Sequence, residues 1–481
     1  MIYVDCDSNQ GLPNFSIIGM ADKSVSESRE RIRSAIVNSD FSFPKHKIIA
    51  NLAPAGIKKT YTGLDLAIAI GLLVLSKQLL QTDLASSSFV GELALNGEIR
   101  PVRGIISVIE CAIKNQLKQI FIPKANAKVA ALLADRIQIF PAKNLQQIWL
   151  HLKNIQKLQP LNKKVKITQT DAAQTPLLDQ LSGQQEAKRA IIIAIAGRHN
   201  ILFSGPPGTG KSLLAKIAAN LQPHPSIDEL IEIAKIHSLV NQSYIGAAPF
   251  RAPHHSASLQ SLIGGGQNLL PGEITLAHRG ILYLDELPEF NRSAIEALRQ
   301  PLEDHQISLS RVEQNFIYPC DFQLIATKNP CPCGYFGSSQ KACTCTLAEV
   351  AKYQHKTSGP LLDRIDLHLN IQAVRQSDLL FSTTIGTSEH DTAKINIQAA
   401  RLRQFQRQQK YNSRLSSVEL AKIELPLKTK DILNNAAEKL KLSARSYFSV
   451  LKVAQTIADL QNSDQISPEF IMEALHYRQL T

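Results

Sequence analysis

The run Gly205-Pro206-Pro207-Gly208-Thr209-Gly210-Lys211-Ser212 leaves few folds open to this chain. It fits the phosphate-loop pattern G-x-x-x-x-G-K-[ST] and lies in the context that pattern needs. His199-Asn200-Ile201-Leu202-Phe203 before it reads as a short buried strand, and Leu213-Leu214-Ala215-Lys216-Ile217-Ala218 after it reads as a helix. Glycines let the backbone N–H groups turn inward onto phosphate oxygens, and the helix N-terminus adds partial positive charge. Lys211 can reach the β and γ phosphates, and the Ser212 hydroxyl can ligate Mg²⁺. A Gly/Pro-rich turn with no ligand is the bland alternative. The expectation is a site for ATP with Mg²⁺.

A second motif supports the first. Ile281-Leu282-Tyr283-Leu284-Asp285-Glu286 is an apolar strand ending in two carboxylates, about 75 residues beyond the loop. Asp285 would hold Mg²⁺ through water and Glu286 would polarise the attacking water. Phe322-Gln323-Leu324-Ile325-Ala326-Thr327-Lys328-Asn329 is a further strand ending in a polar residue. Asn329 is placed to position the lytic water; a turn-forming Asn before Pro330 is the other reading. Arg364, in Pro360-Leu361-Leu362-Asp363-Arg364-Ile365-Asp366, is a candidate finger for a neighbouring subunit's γ phosphate, an effect worth roughly 10³-fold or more where such fingers act. A local ion pair with Asp363 or Asp366 competes with that role. Arg445, near the start of a C-terminal helix, can reach the same phosphate, with a plain surface arginine as the alternative.

At 481 residues the chain should divide into about two to four domains. Residues 1–150 mix strand-like runs (Phe15 to Ile18, Lys47 to Leu52, Gln119 to Ile122) with amphipathic helices and read as an α+β domain. Ser26 to Val37 reads as one such helix, with Ile32, Ala35 and Ile36 apolar and Arg29 and Arg33 on its polar face. Residues 151–176 are polar and Lys-rich, a solvated linker or else a phosphate-contacting arm. Residues 177–385 alternate strands and helices, which implies a mostly parallel sheet covered on both faces, and 386–481 are helical. Ser443 is the expected N-cap of a helix through Tyr447, Leu451, Val453 and Ile457, and Pro468 opens the last helix. The longest apolar run, Leu64 to Leu75, contains Asp65 and is too short to span a bilayer. No apolar leader opens the chain, and the expectation is a cytoplasmic protein with no membrane partner. Lys and Arg outnumber Asp and Glu by 53 to 41, which favours a polyanionic partner without proving one.

In a reducing compartment the seven cysteines call for metal, burial or chance rather than disulfides. Cys331-Pro332-Cys333 and Cys343-Thr344-Cys345 bring four thiols in two close pairs, in an insertion spanning 331–345 directly after Asn329. Such a set suits tetrahedral, structural Zn²⁺; four plain thiols and an iron–sulfur cluster are the alternatives. Cys6, Cys111 and Cys320 are isolated and read as core residues. His254-His255 invites a metal assignment, but a loop or pore-facing role or a packing role fits adjacent residues better.

The order of phosphate loop, acidic strand, strand-Asn, Arg and helical lid resembles the AAA+ ATPases. Phe250-Arg251-Ala252-Pro253-His254-His255-Ser256-Ala257-Ser258, Gly264-Gly265-Gly266, the run Pro271 to Gly280, Leu298-Arg299-Gln300-Pro301-Leu302-Glu303-Asp304 and Asn329-Pro330-Cys331-Pro332-Cys333-Gly334 narrow the likeness to the magnesium-chelatase-like ComM/YifB family, almost end to end. The resemblance implies an α/β multidomain protein: a ribosomal-S5/Lon-like α+β N-terminal domain, then an AAA+ P-loop core with a helical lid. Lys211, Ser212, Asp285, Glu286, Asn329, Arg364 and Arg445 match the family's nucleotide-site positions. Two departures are visible: Lys328 stands where the family usually reads Met, and Ser449 and Gln455 stand where it usually carries basic residues. Gly91 to Ile105 resembles the Lon proteolytic domain, yet the positions of its Ser-Lys pair fall near Tyr61 and Ile106, so no peptidase activity is expected. Relatives carry a segment upstream of Ile2-Tyr3-Val4-Asp5-Cys6-Asp7, so either the start lies further upstream or this domain lacks an edge strand.

The resemblance implies an ATP-driven motor on branched or single-stranded DNA, a homo-oligomeric ring (a hexamer) that migrates branched intermediates during natural transformation. A chelatase-type chaperone that remodels a protein partner is the second reading. An ATP-regulated binding module is the third, and intact Lys211, Asp285 and Glu286 argue against it.

Overall fold

The computed structural model describes residues 1–19, 23–54, 61–84, 86–162, 177–240, 242, 244–266, 269–311, 314–338, 341–372 and 388–478. The basic run from Lys163 and the boundary expected at 385 lie outside them. The chain forms two compact units: Met1–Thr168 with Ser226–Gly246, and Gln169–Pro225 with Ala247–Thr481. Ser226–Gly246 falls inside the segment that the sequence reads as one core. It groups with the first unit because the helix Ile227–Ser238 places Leu230, Ile231 and Ala234 in one apolar cluster with Ile105, Ile106 and Ile109 of the helix Ile105–Lys114. Residues 151–162 also differ from a solvated linker. Leu158 and Leu161 pack on the clusters of the first unit, and Leu161 N donates to Ile139 O at 2.8 Å.

The first unit holds two three-stranded sheets. In one, Lys47–Ala53 lies between Tyr3–Asn9 (antiparallel) and Asn14–Ile18 (parallel), and its alternate residues Ile48, Ala50 and Leu52 face the core. In the other, Gln119–Pro123 runs parallel between Ser87–Phe89 and Gln138–Ala142. The helix Lys23–Asn38 buries Ile32, Ala35 and Ile36, as its periodicity predicts. Arg31, off its Arg29/Arg33 face, donates to Asp65 at 3.1 and 3.2 Å, which accounts for a carboxylate within the most apolar run.

The second unit is mixed α/β around a five-stranded, all-parallel sheet in the order Phe250–Arg251, Ile281–Leu284, Gln323–Lys328, Ile201–Ser204, Leu367–Asn370. Ile281–Leu284 is buried throughout and Gln323–Lys328 nearly so, the pattern of strands covered on both faces. The helices Glu389–Gln408, Leu427–Lys439, Ala444–Leu460 and Pro468–His476 share one apolar cluster with Gln185–Gly197 and Lys211–Leu221. Ser443 caps Ala444–Leu460 by accepting from Ser446 N at 3.2 Å. Two antiparallel hairpins outside this sheet, Gly264–Gly265 with Leu270–Pro271 and Gln306–Arg311 with Gln314–Pro319, have no counterpart in the sequence reading. No helix among the described residues is long and apolar enough to cross a membrane.

A polar node ties the sheet to the C-terminal helices. Asp321 accepts from Arg198 Nη1 at 3.3 Å, from Arg279 Nη1 at 3.0 Å and from Arg414. Burial alone would raise its carboxyl, but Arg198, then Arg414 and Arg279, hold it well below the usual carboxylate range. Because the folded value is depressed, its contribution is complete above the ordinary Asp pKa and is lost as pH falls through the folded one. Asp321→Ala strands these guanidiniums and is expected to cost about 3–5 kcal/mol in urea unfolding, with an unchanged denaturant slope. A loss below about 1 kcal/mol would mean that water replaces the carboxylate, as at exposed pairs.

Candidate nucleotide site

Ile201–Ser204 breaks into the phosphate loop, and the helix Lys211–Leu221 starts directly after Gly210. Gly208 and Gly210 hold φ of 79° and 82°, the left-handed region that side chains resist. Gly205 meets a different constraint, since a Cβ there would lie 2.3 Å from Ile371 O. Thr209 Oγ1 donates to Pro206 O at 2.9 Å, and Gln184 Nε2 donates to Thr209 O at 2.8 Å, which fixes the loop from inside and outside.

The loop lysine faces the ends of the two neighbouring strands. Lys211 Nζ donates to Pro206 O at 2.9 Å and to Asn329 Oδ1 at 3.0 Å, and Asn329 Nδ2 donates to Glu286 Oε1 at 3.3 Å. Ser212 Oγ donates to Asp285 Oδ2 at 3.2 Å. Lys211, Ser212, Asp285, Glu286 and Asn329 thus converge, as their motifs predict. Burial lowers the Lys211 pKa, and the carboxylates of Asp285 and Glu286 offset part of that shift. A cleft of about 520 Å³ opens at this point, lined in part by Glu286, Asn329, His255 and Pro332. Ser212 and Asp285 offer oxygen ligands side by side, a donor set that suits a hard Mg²⁺ ion.

Arg364 and Arg445 lie outside this network. Both reach one carboxylate: Arg364 Nη2 pairs with Glu303 Oε2, and Arg445 Nη2 lies 3.2 Å from Glu303 Oε1. Arg364 also donates to Pro360 O at 2.7 Å. Its hydrogen bond, ahead of the Arg445 charge, holds the Glu303 carboxyl below the usual range despite some desolvation. The ion pair with Asp363 or Asp366 considered for Arg364 is not formed. Asp363 Oδ1 lies 3.4 Å from Arg478 Nη2, and Asp366 Oδ2 lies 3.3 Å from His199 Nδ1.

The four cysteines of the insertion place their sulfur atoms within 4.8 Å of one another, the only such ligand group among the described residues. Cys331 lies 3.3 Å from Cys333 and 3.6 Å from Cys343, and Cys333 lies 3.5 Å from Cys343. Tetrahedral zinc with Zn–S of about 2.3 Å would set these separations near 3.8 Å. Backbone N–H groups of Phe336, Cys333 and Cys345 donate to Cys331, Cys345 and Cys343 at 3.3, 3.4 and 3.4 Å. Donation from Tyr335 and then Thr344 draws the Cys333 thiol down, whereas desolvation and the neighbouring thiols push Cys343 and Cys345 up. The knuckle also touches the nucleotide loop: a Cβ at Gly334 would lie 2.7 Å from Pro207 Cδ.

The remaining candidates sort by burial. Cys320 is buried, Cys6 is half-buried and packs against the apolar cluster of the first unit, and Cys111 is half-buried on the helix Ile105–Lys114. His254 and His255 stack at 4.1 Å in a loop, with His254 Nδ1 2.8 Å from Ser256 Oγ, an arrangement that fits the loop role and not the metal. Tyr61 Oη donates to Arg103 O at 3.3 Å and Ile106 is fully buried, so neither position presents a nucleophile or an amine. Lys328 is half-buried, and Ser449 and Gln455 point inward, with Ser449 Oγ donating to Asp366 Oδ1 at 2.6 Å. Ser449 and Gln455 therefore lie on the buried side of the helix Ala444–Leu460 and not on its exposed face.

Three contributors have no motif to announce them. Thr327 Oγ1 donates to Asp285 Oδ1 at 2.6 Å and accepts from Glu286 N at 2.9 Å, which orients the Asp285 carboxylate and fixes the Glu286 backbone. Nothing local marked Thr327, since the same strand also carries Gln323 and Lys328. Gln184 and Glu303 are the others; nothing local marks Gln184, and Glu303 lies within a family motif without an assigned role.

Family models described as magnesium chelatase, subunit ChlI, as subunit ChlI of Mg-chelatase, and as the C-terminal part of subunit ChlI match residues 177–379, 4–126 and 388–478. Competence protein ComM of Haemophilus influenzae is 40% identical over 488 residues, 99% of this chain and 94% of that protein. The uncharacterized protein YifB of Escherichia coli is 41% identical over 486 residues, with the same coverage of 99% and 94%. A shorter likeness, 41% over 73 residues, joins 15% of this chain to 11% of an archaeal Lon protease from Methanothermobacter thermautotrophicus.

Proposed function

From the premise that this chain belongs to the magnesium-chelatase-like family of ComM and YifB, a family of AAA+-type ATPases, we propose that it hydrolyses ATP in a homo-oligomeric ring, a hexamer, and moves along branched or single-stranded DNA. One observation carries this reading. The groups that bind and cleave ATP meet at the ends of three neighbouring strands, while Arg364 and Arg445 gather on a carboxylate outside that network. An arginine pair held away from its own phosphate loop suits a γ phosphate on the next copy.

In the proposed cycle the backbone N–H groups of residues 205–212 cradle the phosphates and Lys211 neutralises the β and γ oxygens. Glu286, its carboxylate oriented by Asn329 and its backbone held by Thr327, takes the proton of the attacking water. Mg²⁺, held by Ser212 and by Asp285 through water, would neutralise charge on the phosphate oxygens. Structural Zn²⁺ on Cys331, Cys333, Cys343 and Cys345 would stiffen the insertion. The excess of Lys and Arg (53 against 41) and the competence role in the name of the Haemophilus relative support a nucleic-acid partner. Branch migration during natural transformation is the specific task proposed, with the Lon-like N-terminal domain docking a partner rather than cutting peptides.

The test is ATP turnover without DNA, with single strands and with a four-way junction. The expected result is turnover that rises with DNA and is highest on the junction, and Lys211→Ala should remove it, by about 10²-fold or more. Hydrolysis indifferent to every DNA would favour the chelatase-type remodelling chaperone.

A further inference from the structure

Two guanidiniums that must act on one phosphate repel each other when left alone, so something has to hold them together before the phosphate arrives. Glu303, near the end of the short helix Arg299–Asp304, has one oxygen on Arg364 and the other within 3.2 Å of Arg445. The three residues come from distant parts of the chain, and Arg364 is the most enclosed, with 14% of its side chain exposed against 41% for Arg445. The backbone around Arg364 is fixed by other groups. Asn200 Nδ2 donates to Arg364 O at 3.0 Å, and Arg478 donates to Ile365 O and, at 3.3 Å, to Asp363 O. Glu303 therefore acts on where the guanidinium points and not on whether its loop is folded.

We propose that Glu303 is a positioning residue that holds Arg364 and Arg445 as one preassembled unit for the γ phosphate of a neighbouring copy. This rests on the reading of the two arginines given above. A single carboxylate between two cations leaves a net positive charge to present, and it spares the chain the cost of gathering two flexible side chains during each turnover. Without it the guanidiniums separate, and a misplacement of about 1 Å at a reacting centre can cost about 10²-fold in rate.

The experiment compares Glu303→Gln, Glu303→Asp and Arg364→Ala in the full-length chain. Glu303→Gln keeps the shape but loses the charge. It should lower kcat by about 10–100-fold while KM for ATP moves less than about 3-fold, the signature of an interaction made in the transition state. Binding of ADP with aluminium fluoride should weaken in parallel, and Glu303→Asp should recover part of the rate. Assembled together with Lys211→Ala chains, which carry intact arginines but a dead site, Glu303→Gln chains should regain turnover, because their own sites then receive properly held arginines. Wild-type or faster turnover by Glu303→Gln, or no recovery in the mixed assembly while Arg364→Ala is dead, would overturn the proposal. Wild-type turnover by Arg364→Ala would instead overturn the reading beneath it.

Discussion

Arg364→Ala is expected to abolish measurable ATP turnover, a loss of about 10³-fold or more, while nucleotide still binds. The size follows from what a guanidinium does at a phosphoryl group. It neutralises charge that develops only in the transition state, so its removal falls on kcat. Binding should survive because the phosphate loop makes no use of Arg364, whose partners are Glu303 and Pro360. The measurements are steady-state hydrolysis and titration with a fluorescent nucleotide on the same preparation. If both were lost together, Arg364 would be holding the fold and not the phosphate. If neither changed, another arginine would supply the charge. Arg445 is the first to examine, since it shares the same carboxylate.

Metal removal should have the second largest effect. Purified chain is expected to carry about one zinc per molecule by elemental analysis, and a structural zinc site of this kind is worth about 10–16 kcal/mol of apparent binding energy. Chelation, or Cys343→Ser together with Cys345→Ser, should unfold the knuckle. The damage should spread to the nucleotide site by two short routes. Cys331 follows Asn329 by two residues, and the backbone of Gly334 lies against Pro207 in the phosphate loop. Turnover should fall by about 10²-fold, the loss expected when a positioning group shifts by about 1 Å, and nucleotide affinity should weaken with it. Metal content is the independent readout: protein purified without zinc would remove the assignment, and zinc-free protein with normal turnover would detach the knuckle from the chemistry.

The parts legible in the sequence are those written by local rules. The phosphate loop, the acidic strand end and Asn329 follow from short motifs whose geometry is nearly closed within each segment, and parallel strands sort them onto one edge. Ser443 and the periodic burial of Ile32, Ala35 and Ile36 were readable for the same reason. The four thiols were readable because two C-x-C pairs can close on each other over a short knuckle. What was not readable depends on contacts between distant segments. Glu303 is 61 residues from Arg364, and nothing in the run Leu298 to Asp304 says which guanidiniums it will meet. Thr327 looks like one more β-branched strand residue until its neighbour Asp285 is seen beside it. The departures at Ser449 and Gln455 could be counted in the sequence, but that they face inward depends on which side of the helix Ala444–Leu460 packs.

Because Ser226–Gly246 belongs with the amino-terminal unit, the polypeptide passes between its two units three times, at Thr168, at Pro225 and at Gly246. A simple truncation therefore cannot separate them. Cutting near residue 168 would leave the helix Ile227–Ser238 attached to the ATPase half with Leu230, Ile231 and Ala234 stripped of their cover, a sticky stripe that invites aggregation. The excised half would in turn lose the wall that closes its apolar cluster. Anyone dissecting this protein into parts must splice out 226–246 and graft it back, and any homologue that had shed its first unit would need polar residues along that helix.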